Sequence, residues 1–178
     1  MTNRDFFIAS WKRDSAITAK AIRSLPQNML KLNMQHHPKF RSPWQLVNHI
    51  APHAKELVQG LSSDRIDLVN EGLFPMDGPN IYKSLEDAAV DLETHSAKLI
   101  DLVNSCSDAD WETKKVPVYW GEMKIMENSV MQHCWMMLWD TLHHRGQLSS
   151  YYRLLGVSQP ELMGPTTEVE EAMFSKAN

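Results

Sequence analysis

The sequence predicts an all-α protein: a four-helix bundle with a short extended or hairpin segment before the last long helix. Three observations carry this. Apolar residues recur at helical spacing in four long stretches. Helix start and stop residues bound two of them, Ser42-Pro43 opening the second and Gly156 closing the fourth. Only one stretch reads as extended, "DWETKKVPVYWGEMKI" (110–125), with a turn near Gly121. Amphipathic helices without a strand framework bury their apolar faces against one another.

The first helix is expected from about Arg4 to Ser24, with Phe7, Ile8, Trp11, Ile17 and Ile22 on its inner face, and Leu25-Pro26 ends it. The second runs from Pro43 to about Leu61. Pro52 lies inside it and should kink it, because the bond to the Asn48 carbonyl is lost. Residues 62–80 read as a short helix and a loop. The third helix is expected from about Pro79 to Asn104 on Leu85, Val90, Leu92, Leu99 and Leu102, and the fourth from about Glu127 to Leu155. One domain then spans 1–158, and a weakly periodic tail, 159–178, should pack loosely.

Composition narrows the function classes. A net charge of −4 without a basic cluster argues against a nucleic-acid partner. No apolar run approaches the roughly 20 residues that span a bilayer, so no membrane partner is expected. Cys106 and Cys134 form no CxxC motif and no disulfide framework. With no secretion signal at the N-terminus, a cytoplasmic protein is expected.

The fourth helix poses the chemical question. Adjacent helix residues point about 100° apart, so His143 and His144 face different ways. Rotation around the helix gives an inward stripe of Val130, Cys134, Met137, Thr141, Leu148, Tyr152 and Leu155. His144 falls near the centre of that stripe and Asp140 at its edge, an i, i+4 pair on one face. Turned toward a core, a carboxylate and an imidazole either satisfy each other or share a third party. The first alternative is a structural hydrogen-bonded pair. The second is a divalent metal, for which one helix often supplies two ligands at this spacing. A metal needs a further ligand, and the second helix offers His49 and His53, again at i, i+4.

"RSPWQLVNHIAPH" on the second helix and "DTLHHRGQLSSYYRLLG" on the fourth resemble the DinB/YfiT-like superfamily of small bacterial helical-bundle proteins. The resemblance covers about Phe6 to Gly156, and HHRGQ is its most specific part. It implies one divalent metal held by three histidines. The second-helix ligand matches His49, and the later fourth-helix ligand matches His144. The earlier one falls on Asp140, a departure from the all-histidine pattern, with His53 as the reserve ligand. Zinc or nickel is expected first, and iron or manganese next. The resemblance further implies an enzyme of thiol-dependent transfer or hydrolysis acting on a small molecule, with a low-molecular-weight thiol among the partners, and a homodimer. The alternative is a non-catalytic metal-binding or stress-associated module. No residue announces itself as a general base, and Glu122 and Glu127 have no fixed place.

The neighbouring residues have simpler expectations. His143 should face away from the metal, and Arg145 should reach a carboxylate or carbonyl of another element. Gly146 should mark close packing by another helix. His133 and Cys134 should belong to the inner face. His36 and His37 should be solvated.

Overall fold

A hydroxyl opens five of the described helices, Ser107 doing so for the short Asp108–Thr113, and the other four frame the bundle. The side chains of Thr2, Ser42, Ser84 and Ser129 accept the backbone N–H groups of Asp5, Gln45, Asp87 and Gln132. At Thr2, Ser42 and Ser129 the later residue's side chain returns the bond to the cap's own N–H, completing a capping box. The helices they open are α1 (Asn3–Ser24), α3 (Pro43–Ile50), α5 (Leu85–Ser105) and α7 (Val130–Leu154). Between them lie α2 (Met29–Leu32), α4 (His53–Ser63) and α6 (Asp108–Thr113). The computed structural model describes residues 1–68, 81–162 and 164–175, with the backbone alone at Met29, Glu168 and Phe174.

Phe7, Trp11 and Ile22 of α1, Leu46 and Ile50 of α3, Leu57 of α4, Leu92 and Leu99 of α5, and Leu148 and Tyr152 of α7 form one core, each at most 1% exposed. Each fully buried side chain of this size contributes roughly 1.5–3 kcal/mol relative to exposure. Along the predicted stripe of α7, Val130, Cys134, Thr141, Leu148, Tyr152 and Leu155 are buried and Met137 is half-buried. His133 is also buried, and its Nε2 lies 2.8 Å from the Val116 carbonyl, which takes its proton.

The expected second helix is two helices. Pro52 brings no N–H to continue the ladder, and the chain breaks at Ala51-Pro52 before restarting at His53. The third helix starts at Leu85, later than expected. Ile81 and Tyr82 donate their backbone N–H groups to Asn48 Oδ1, at 2.8 and 3.3 Å, and are thereby tied to α3 rather than helical. Pro79 and Asn80 fall outside the described residues.

The extended segment is a hairpin, β2 (Lys115–Trp120) against β3 (Met123–Ser129), paired from Lys115↔Ser129 to Trp120↔Met123. Gly121 turns it at φ +59°, where a side chain would be strained. In 62–80, where a short helix and loop were expected, Ser62 and Ser63 finish α4. Ile66–Asp67 then form β1, parallel to β2, giving a three-stranded sheet. Residues 69–80 lie outside the described residues. Glu127–Ser129 pair with the first half of β2, so α7 starts three residues beyond the expected Glu127. It ends as expected on Gly156 (φ +69°). The N–H groups of Gly156 and Val157 donate to the carbonyls of Arg153 and Tyr152 at 3.1 and 3.0 Å, a Schellman closure. In the tail, α8 (Thr167–Ser175) forms, and Arg153 donates to Thr167 Oγ1 at 3.1 Å. No helix among the described residues is long and apolar enough to cross a membrane.

One expectation is overturned: Gly146 packs against nothing. A Cβ built there meets no heavy atom within 4 Å, and the residue is exposed. The close approach occurs at Gly60 instead, where a Cβ would lie 2.8 Å from Ile66 Cγ1 and 3.1 Å from Val116 Cγ1. Gly146→Ala is therefore expected to stabilise the protein by about 0.5–1 kcal/mol, the helix-propensity difference at an unhindered site. Urea denaturation would show it as a higher midpoint, and a lower midpoint would contradict the open geometry.

Candidate metal centre

Two ends of chain meet at Asp140. His49 sits in the last turn of α3 and His53 is the first residue of α4, so the Pro52 break lies between them. Asp140 and His144 stand one turn apart on α7, which packs on both helices. Asp140 Oδ2 lies 3.1 Å from His49 Nε2 and 3.3 Å from His53 Nε2, and its Oδ1 lies 3.4 Å from His144 Nε2. His49, Asp140 and His144 each bring one donor atom within 4.8 Å of the other two. His53 shares the carboxylate but stands outside that trio.

Hydrogen bonds on the far side of two rings assign their protons. Thr141 Oγ1 gives its own hydrogen to the Met137 carbonyl (2.8 Å), so the 2.8 Å contact with His53 Nδ1 makes Nδ1–H the donor. Gln147 Oε1 accepts from His144 Nδ1 at 2.8 Å, and Arg41, which can only donate, places Nη1 3.4 Å from His144 Nε2. His53 thus carries Nδ1–H and turns its Nε2 lone pair toward Asp140, and His144 carries Nδ1–H with its Nε2 facing both the Arg41 guanidinium and the carboxylate.

The charges follow from the surroundings. Burial pushes His53 down to about 3, helped by His49, so it is neutral. Burial also lowers His49, against the opposing pull of Asp140. For Asp140, burial works upward, but the contacts with His144 and His49 outweigh it and hold the carboxyl below the usual carboxylate range. A carboxylate and imidazoles gathered at one point either bond to one another or share a cation, and these donor types suit a divalent metal.

The family model described as DinB family matches residues 1–173. The chain belongs to the DinB family. Solved structures share the fold. A DinB-like protein from Bacillus subtilis superposes with a TM-score of 0.62 at 11% identity, covering 89% of this chain and 99% of its own. One from Bacillus cereus gives 0.61 at 17%, covering 87% and 94%. YfiT from Bacillus subtilis, described as a probable metal-dependent hydrolase with an unusual four-helix bundle topology, gives 0.63 at 14%, covering 87% and 89%. At these identities the likeness is one of fold. No curated protein matches the chain.

Within this DinB chain, each residue of HHRGQ takes a separate place. His143 is exposed and turned away from Asp140, as expected, and its Nε2 accepts from Gln147 Nε2 at 3.0 Å. It thereby orients the amide that holds His144. Arg145 turns to the opposite side, where Nη2 reaches Asp14 Oδ1 at 2.9 Å and Nη1 reaches the Asp14 carbonyl at 3.0 Å and Thr18 Oγ1 at 3.2 Å. This meets the expectation of both a carboxylate and a carbonyl. His36 and His37 are exposed, while Trp44 is buried in the core and Trp139 is exposed.

Three residues near the cluster escaped the sequence reading: Arg41, Gln147 and Glu56. Glu56 lies one turn after His53 on α4 and is 5% exposed. Burial, reinforced by the charge of Asp140, pushes its carboxyl up to about 8, so it keeps its proton at neutral pH. The linkage has a definite sign. A carboxyl with a raised folded pKa stabilises fully below its unfolded value of 4.5 and loses that contribution as pH rises toward about 8. His53, lowered from 6.5 to about 3, acts oppositely, and its contribution is lost as pH falls through that range. From pH 6.5 to 8 Glu56 alone of this pair titrates, so the metal-free protein is expected to lose stability as pH rises there. Glu56→Gln should flatten that limb. An equal slope in both proteins, measured by urea denaturation with a chelator present, would remove the assignment.

Proposed function

We propose that this protein is a divalent-metal-dependent enzyme whose metal is held by His49, Asp140 and His144, with His53 as the ligand next in reach. The observation that carries this reading is that His49, Asp140 and His144 bring one donor atom each within 4.8 Å of one another. Two imidazoles and one carboxylate suit zinc or nickel, and the carboxylate also admits iron or manganese. A divalent ion there would supply Lewis acidity, making a water or thiol nucleophilic near neutral pH.

The chain's own residues set the rest. Gln147 and Thr141 fix the tautomers of His144 and His53, so the lone pairs are preorganised. Asp140, whose side chain is 37% exposed, opens the cluster to solvent, so a small molecule can reach it. Glu56 holds a proton in the field of Asp140. This combination supports a thiol-dependent transferase or a hydrolase acting on a small substrate; the cytoplasm is the location we propose for it.

The test joins composition to turnover. Protein purified without a histidine tag is analysed for bound metal and then assayed for thiol conjugation to a generic electrophile and for ester hydrolysis, before and after chelation. Metal-dependent turnover supports the enzyme. Stoichiometric metal without either activity turns the reading toward a metal-binding module.

A homodimer is part of the proposal. Phe6, Trp135 and Trp139 form a ring row with centroids 5.8 and 5.9 Å apart, and Phe6 and Trp139 are 51% and 63% exposed. Light scattering is expected to return a dimer, and a monomer at every concentration would remove this part.

A further inference from the structure

A cavity of about 600 Å³ lies between the segment before α3 and the C-terminal half of α7. It shares two residues with the metal centre. Gln147 holds the outer nitrogen of His144, and Arg41 reaches its inner one. Leu46, Phe40, Tyr151 and Leu154 give the cavity an apolar wall. Its charged lining residues are Arg41 and Lys39, and no lining residue is acidic. In a chain of net charge −4, a cavity with cations and no carboxylate is selective.

Arg41 is held in place by its own backbone: Tyr151 Oη donates to its carbonyl at 2.8 Å, and the next residue, Ser42, caps α3. Its Nη1 lies 3.4 Å from His144 Nε2. That nitrogen is the one a metal would take. Metal and guanidinium cannot both use it, so loading the site displaces Arg41 and leaves its donors to be satisfied. The cavity, lined by Arg41 and by Gln147, the partner of His144, offers space for that side chain.

We propose that this cavity binds the substrate as a small organic anion, its carboxylate-like end held by the Arg41 fork beside the metal position and its apolar body against Phe40 and Tyr151. A guanidinium presents paired donors that match such an anion. The inference rests on the metal-enzyme reading for calling the anion a substrate, but not for its binding. Metal and anion should then be coupled: freeing Arg41 raises anion affinity, and by reciprocity the anion strengthens metal binding.

Phenylacetate and its neutral isostere phenylacetamide are titrated by calorimetry into wild-type protein and Arg41→Gln, each metal-free and zinc-loaded, with zinc content measured on the same samples. Expected is at least a ten-fold preference for the acid in wild type, larger with zinc, and its loss in Arg41→Gln at unchanged zinc content and unchanged circular dichroism. Equal binding of acid and amide, or binding of neither, overturns the proposal. A preference that persists in zinc-loaded Arg41→Gln also overturns it, because the metal would then hold the anion. Failure of wild type to take up zinc counts against the metal reading instead, and the metal-free arm still decides the anion site.

Discussion

His144→Ala is expected to leave the protein folded and without tightly bound metal. The ring contributes a donor whose orientation is fixed by Gln147 on one nitrogen and by the turn shared with Asp140 on the other. Losing only an outer partner of a ligand costs about 10–100-fold in affinity, and losing the ligand itself should exceed about 100-fold. His143→Ala should keep the metal stoichiometry, since that ring touches His144 and Gln147 but brings no donor atom into the trio. Asp140→Asn should weaken affinity while the circular dichroism stays helical. Elemental analysis after dialysis against a weak chelator reads all three. The assignment is wrong if His143→Ala loses the metal while His144→Ala retains it.

Arg145→Ala is expected to be strongly destabilising, at about 2–4 kcal/mol from lost buried charge-assisted hydrogen bonds. Arg145 and Asp14 are 2% and 1% exposed, and they join α7 to α1 through the core. Removing the guanidinium leaves Asp14 Oδ1, the Asp14 carbonyl and Thr18 Oγ1 without that donor, while Asp14 Oδ2 keeps Arg13 at 2.7 Å. Most of this cost is the loss of buried charge-assisted contacts, partly offset because Arg13 still pairs with the carboxylate. Asp14→Leu combined with Arg145→Met should therefore recover much of it. Urea denaturation of the single and double variants decides. A loss below about 1 kcal/mol in Arg145→Ala would mean that water reaches the pair.

The inner face of α7 was legible because helical period alone separates Asp140 and His144 from His143. The capping serine and Pro43 of α3 were legible for the same local reason. His49 was singled out over His53 by resemblance, since the rotation around a helix broken at Pro52 ranks neither. Arg41 precedes a cap and belongs to no periodic segment, so no pattern points from it to His144 across 103 residues. Glu56 is three positions from His53, but an acidic residue at that spacing on an amphipathic helix ordinarily faces solvent. Gly146 misled because its cost in a helix suggests a steric reason, and only the neighbours' positions show that none exists. The strand at Ile66–Asp67 is too short to leave a period-2 signal.

The passage from β3 into α7 has a consequence for how such a chain can change length. Ser129 is at once the last residue of the strand and the cap of the helix, with no connecting loop. Its pairing with Lys115 fixes the angle at which α7 sets out. One residue inserted after Ser129 would swing the helix by about 100°, carrying Asp140 and His144 away from His49 together. The Gly121 tip, six to eight residues upstream along β3, transmits no such rotation, because extra residues there only lengthen an exposed turn. Length variation is thus tolerated at one end of the same strand and forbidden at the other, and the ladder between them acts as the index mark that sets the site.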